Sequence, residues 1–207
     1  MTRLKQPATL AAAIVLVAGL GACTSNEGTP TATKTSTSPS STPSTSTTTA
    51  TPTLSPEDEA IAAAKSMIPQ YVAMADRSLI EGPKFNVEDF KKVAISSGLI
   101  DLQNRYNVFT AQKFTQIGNT KVEAMDNPRV DLKLDLKKSP PDVPTVQLDV
   151  CVDVSKVNLV DAAGTSQIPP TRVPRQKWRV GVSNYEYPSP TAWRVSFTDP
   201  QGGKQTC

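Results

Sequence analysis

The chain has 207 residues, 22 Lys and Arg against 19 Asp and Glu for a net charge of +3, and no histidine. Without histidine, Ser-His and Cys-His activation of a nucleophile is excluded within the chain. So small a charge also makes nucleic acid an unexpected partner. No cluster has metal-ligand spacing and no Gly-rich phosphate loop is present, so the expected catalytic, cofactor-binding and metal-binding residues are none.

Arg3 and Lys5 precede an apolar run of 14 residues, Ala8 to Gly21. A spanning helix needs about 20 apolar residues, so this run is too short to remain in a membrane and fits a cleaved targeting segment. It closes on Leu20-Gly21-Ala22-Cys23, small residues set directly before a cysteine. That arrangement resembles a bacterial lipoprotein signal, which implies removal of residues 1–22 and acylation of Cys23. Ordinary secretory cleavage at the same small residues is the rival reading. Each buried CH₂ contributes about 0.8 kcal/mol and one chain binds only reversibly, whereas two or three hold a protein for good. The expected partner is therefore the membrane, through Cys23, and the expected address is the outer face of the cytoplasmic membrane.

From Thr24 to Ser55 about two residues in three are Ser or Thr, interrupted by Pro30, Pro39, Pro43 and Pro52. Such a segment has almost nothing apolar to bury and cannot offset its own ordering entropy. Residues 23–55 are thus expected to be a lipidated, disordered tether of roughly 30 Å root-mean-square span. Dense Ser and Thr beside Pro also resembles O-glycosylated stalks, with an unmodified tether as the alternative.

Residues 56–207 have the size of one domain. Ser55-Pro56-Glu57-Asp58 starts a helix, with Ser as cap, Pro at the first helical position and acids at the positive end of the dipole. Ile61, Ala64, Ile68, Val72, Ala75 and Leu79 form its apolar stripe, Pro69 is expected to kink it, and Gly82-Pro83 ends it. A second helix is expected from Val87 to Ser97, stopped by Gly98, and a third from about Leu99 to Gln116.

The period then changes to two. Val130, Leu132, Leu134 and Leu136 alternate with charged residues, as do Val146, Leu148, Val150, Val152 and Val154 with mostly polar ones. Trp178, Val180 and Val182, then Trp193, Val195 and Phe197, repeat the pattern. Four half-buried antiparallel strands are expected, with Arg194, Ser196 and Thr198 outward on the last. Asp161-Ala162-Ala163-Gly164 and Pro188-Ser189-Pro190 are turn signals. Helices followed by an antiparallel meander give an α+β class.

The lipobox, the tether, the strand Val150–Ser155, the turn Val160–Gly164, the strand Trp193-Arg194-Val195 and a terminal cysteine after Gly202-Gly203 together resemble small lipoproteins of actinobacteria and their phages. That resemblance implies an NTF2-like cone, N-terminal helices on a curved sheet. It implies a non-catalytic binding or interaction domain in the envelope, with an envelope protein or a small apolar ligand as partner. A phage-type superinfection-exclusion lipoprotein is the alternative, and a small NTF2-like enzyme a third.

With Cys23 lipidated, Cys151 and Cys207 remain, and an even pair in an exported domain is most simply a disulfide, with two independent thiols as the alternative. Arg175, Lys177 and Arg179 share one strand face, joined by Arg194. They read either as a patch for anionic lipid or wall polymer or as cross-strand partners of Asp149 and Asp153. Trp178 and Trp193 read as core. Tyr71 and Tyr106 are candidates to face a helix–sheet cavity, where an enzyme would need an inward carboxylate.

Overall fold

The computed structural model describes residues 54–201 and residue 207. The signal segment, Cys23 and nearly all of the tether lie outside the described residues. Helix α1 runs Pro56–Glu81 and α2 Ser96–Ala111, followed by strands β1 Thr115–Ile117, β2 Lys121–Asp131, β3 Thr145–Asp153, β4 Asn158–Val160, β5 Arg175–Ser183 and β6 Arg194–Pro200. Strands β2-β3-β5-β6 form an antiparallel sheet in that order, and β1 pairs with β4. The helices cover one face of the larger sheet, which is an α+β arrangement.

The start of α1 is as its residues dictate: the Ser55 hydroxyl accepts from the Asp58 amide at 3.1 Å, and Pro56 takes the first position. Gly82 closes the helix with φ +55°, its amide donating to the Ser78 carbonyl. The buried face is Ala60, Ala64, Ile68, Tyr71, Val72, Ala75 and Leu79, so Ala60 and Tyr71 join the expected stripe. It packs on Val146, Leu148, Val150, Val152, Val180, Val182 and Val195, all buried on the sheet. Each such aliphatic side chain contributes about 1.5–3 kcal/mol through burial.

The two helices expected after α1 are divided differently. Val87–Lys92 is a 3₁₀ helix, and the chain then docks against the edge of β6: the Ile95 amide donates to the Val195 carbonyl and the Val195 amide to the Val93 carbonyl, both at 2.9 Å. That pairing ends the first helix at Lys92. Gly98 does not stop a helix but sits inside α2, where a Cβ would lie 2.7 Å from the Val195 carbonyl oxygen. Its role is close approach of helix backbone to strand. Helix α2 ends at Ala111 rather than Gln116, because Lys113 turns left-handed (φ +56°) and Gln116 enters β1.

The strand expected over Val130–Lys137 lies earlier, at Lys121–Asp131. Beyond Asp131, the Asp131 and Asp135 carboxylates accept from the Lys133 and Lys137 amides, each at 3.0 Å, forming local turns, and the backbone pairs only at the isolated Asp135–Asp142 bridge. Leu134 and Leu136 are consequently exposed. β2 carries Pro128 and two register shifts, tolerable because it is an edge strand.

The last strand also departs from simple alternation. Val195 pairs with Val182, but Phe197 pairs with Gly181, so Ser196 is an inserted bulge residue. Every side chain after it changes face. Phe197 lies over Gly181 on the outer surface, and Thr198, opposite the buried Val180, turns toward the helices.

Candidate functional site

The bulge in β6 matters because Thr198 now lines a cleft between the helices and the sheet. This cleft, about 350 Å³, is walled by Tyr71, Val72, Ala75 and Asp76 of α1, by Asp101, Leu102 and Arg105 of α2, and by Thr120, Trp178, Thr198 and Pro200. It falls in the size range of small-molecule sites and has the usual mixture of apolar wall and few polar groups. A smaller cavity of about 200 Å³ adjoins it, sharing Arg105, Thr120 and Trp178 and extending over Leu79, Phe109, Leu159 and Ile168 to Arg172.

Asp76 is the buried carboxylate of this region. One oxygen accepts from Gln116 Nε2 at 2.7 Å and the Thr120 hydroxyl at 2.9 Å, and the other from the Thr120 amide at 2.6 Å. It ties α1 to β1 and to the start of β2, and its lone pairs are largely committed to protein donors. Burial pushes the Tyr71 hydroxyl above its ordinary pKa, with the nearby Thr198 hydroxyl and Arg105 guanidinium drawing it partway back. The group is a neutral donor throughout the physiological range. Asp101 and Arg105 are one turn apart on α2 and both exposed. Arg105 makes no hydrogen bond or ion pair with any side chain among the described residues.

The tyrosines part company. Tyr71 faces the cleft, whereas Tyr106 stacks among Phe85 and Phe90 and donates its hydroxyl to the Gly82 carbonyl at 3.0 Å. The tryptophans separate too: Trp193 is core, but Trp178 is half-buried and lines both cavities. The cleft acids Asp76 and Asp101 were not singled out by alternation, because they sit on helices. Asp76 had one signal: it directly follows Ala75 and sits four residues after Val72, within the apolar stripe.

On the opposite face, Lys177 pairs with Asp149 at 3.1 Å and Arg175 Nε with Glu123 at 2.7 Å. The Asn127 amide and then Lys177 hold the Asp149 carboxyl below its ordinary pKa. Ser155, through hydroxyl and amide, does the same for Asp153. Arg194 donates to the Thr191 and Trp193 carbonyls. These cations are mostly engaged by neighbours; Arg179 differs, its buried Nε having no acceptor among the described residues. Cys207 lies against Cys151 with Cα atoms 5.8 Å apart, within the span of a disulfide.

Among the described residues no group of three or more Cys, Asp or Glu side chains is placed to hold a metal ion, and no helix is long and apolar enough to cross a membrane. No protein-family model matches the chain, and no curated protein does. Among solved structures, the intermembrane space region of the chloroplast protein ARC6 is similar at 10% identity and a TM-score of 0.45, covering 72% of this chain and 98% of that one. A likeness of this size leaves function to be read from the residues themselves.

Proposed function

We propose that the chain is an extracytoplasmic lipoprotein whose NTF2-like domain, tethered to the membrane through Cys23, binds a small ligand in the helix–sheet cleft without transforming it. The cleft carries the binding half of this reading: a cavity of about 350 Å³ whose wall combines Val72, Ala75, Leu102 and Trp178 with the hydroxyls of Tyr71 and Thr198. The engagement of Asp76, the buried carboxylate, supports the non-catalytic half. A general base needs a lone pair directed at substrate, and three protein donors occupy this carboxylate. Asp101, exposed on the cleft wall, is the acid an enzyme would have to use.

Labelled palmitate tests the anchor: it should incorporate into the wild-type chain and not into Cys23→Ser, which should leave the membrane fraction. Native mass spectrometry tests the cleft. Protein purified from its own envelope should carry a co-purifying small molecule that is missing from Thr198→Trp, where the indole fills the cavity. Unlabelled protein would refute the anchor, and a bare wild-type mass would refute the ligand.

A further inference from the structure

The two cavities differ in charge, and the difference selects a ligand. The larger is bordered by Asp76 and Asp101 together with Arg105, whereas the smaller has Arg105 and Arg172 on its wall and no carboxylate. Arg172 is fixed in place, its Nη2 donating to the Val154 and Val157 carbonyls at 2.7 and 2.6 Å, and Nη1 and Nε make no bond among the described residues. Arg105 has no side-chain partner there at all. Two guanidiniums on one concave, partly apolar surface offer forked donors suited to a carboxylate or phosphate.

The larger arm has a mixed wall. Val72, Ala75, Leu102 and Trp178 supply its apolar part, Tyr71, Thr198 and Asp101 its polar groups, and the Asp76 carboxylate is engaged by Gln116 and Thr120. At water's share of about 30 Å³ per heavy atom, this arm takes a body of about a dozen non-hydrogen atoms. Resting on the reading of the cleft as a binding site, the geometry points to an amphiphilic anion as its ligand. The head sits between Arg105 and Arg172, and a medium-length hydrocarbon or ring body crosses Trp178 into the larger cavity. Asp101 lines only the larger arm, so it disfavours the reversed orientation and helps fix the direction of binding.

Trp178 borders both arms and is the natural reporter, while Trp193 is buried elsewhere as a constant background. The test titrates the full-length Cys23→Ser chain with sodium decanoate, 1-decanol and decylamine, reading tryptophan emission, with Trp178→Phe as the optical control. Decanoate should change the emission saturably, and the neutral and cationic analogues should bind at least about tenfold more weakly, a factor equal to about 1.4 kcal/mol. Arg105→Gln, at an exposed position whose loss leaves the fold intact, should weaken decanoate about tenfold and leave decanol unchanged; Arg105→Lys should recover part of the loss. Equal binding of all three compounds, or no effect of Arg105→Gln, overturns the anionic ligand while leaving a binding cleft. Absence of any titration overturns it also. In that case a neutral ligand co-purifying from the envelope would show that the cleft reading survives, and a bare protein that both fail.

Discussion

Replacing Asp76 separates a carboxylate that holds the fold from one that faces substrate. Its three hydrogen bonds, at 2.6, 2.7 and 2.9 Å, come from one backbone amide and two side chains, and the residue is 6% exposed. Bonds to a charged acceptor are each worth about 1.5–3 kcal/mol, and a donor stranded in the interior costs about 1–3 kcal/mol. The contributions overlap, since the Thr120 hydroxyl can rotate and Gln116 Nε2 also reaches the Gly118 carbonyl at 3.1 Å. Asp76→Ala should therefore destabilise by about 3–5 kcal/mol, the overlapping cost of the lost bonds and of the donors left stranded. For a domain of this size that lowers Tm by roughly 10 °C. Asp76→Asn keeps the shape but must point its NH₂ at a protein donor, and should lose about half as much. Thermal and urea unfolding followed by circular dichroism measure both. If both variants melt within about 2 °C of wild type and lose ligand binding instead, Asp76 faces the ligand and the reasoning is wrong.

Gly98→Ala should destabilise, by about 1–3 kcal/mol in urea unfolding, although alanine is the better helix former by about 1 kcal/mol; a stabilised variant would mean that α2 does not press on the Val195 backbone. Gly181→Ala should likewise cost stability by displacing the Phe197 ring, and much of the loss should return in the Gly181→Ala, Phe197→Ala double variant, measured as a double-mutant cycle. If Cys151 and Cys207 are bonded, closing a loop with a sequence separation of 56 contributes on the order of 4 kcal/mol; reduction should lower Tm, and two thiols titrating in the native protein would refute the bond. Asp149 has a depressed native pKa, so its contribution is fully present above the unfolded value of about 3.9. That contribution is lost as pH falls below this value and through the native one. Asp149→Asn should flatten stability against pH in that acidic window, and an unchanged profile would contradict the pairing with Asn127 and Lys177.

The legible parts of this fold were those governed by local rules. The cap at Ser55, the stripe on α1, the buried alternation of β3 and the glycine end at Gly82 follow from short-range chemistry, and the α+β class follows from their order. The illegible parts depended on long-range partners. Gly98 has the composition of a helix stop, and only contact with Val195 reveals it as a close-approach residue. Leu132 to Lys137 alternate like a strand, but opposite them stands only the single antiparallel bridge from Asp135 to Asp142. The site suffered most from the single inserted residue Ser196. It sends Phe197 outward and Thr198 inward, reversing the face assignment for half of β6 and supplying a cleft hydroxyl that alternation places in solvent.

Amide chemical-shift mapping of the full chain titrated with decanoate tests the central claim, that the helix–sheet cleft is where this protein meets its ligand. The account predicts saturable shifts confined to Val72, Ala75, Leu102, Arg105, Trp178 and Thr198 and their neighbours. Shifts centred instead on the exposed Leu134 and Leu136, or on the outer strand face around Asp149 and Lys177, would contradict it.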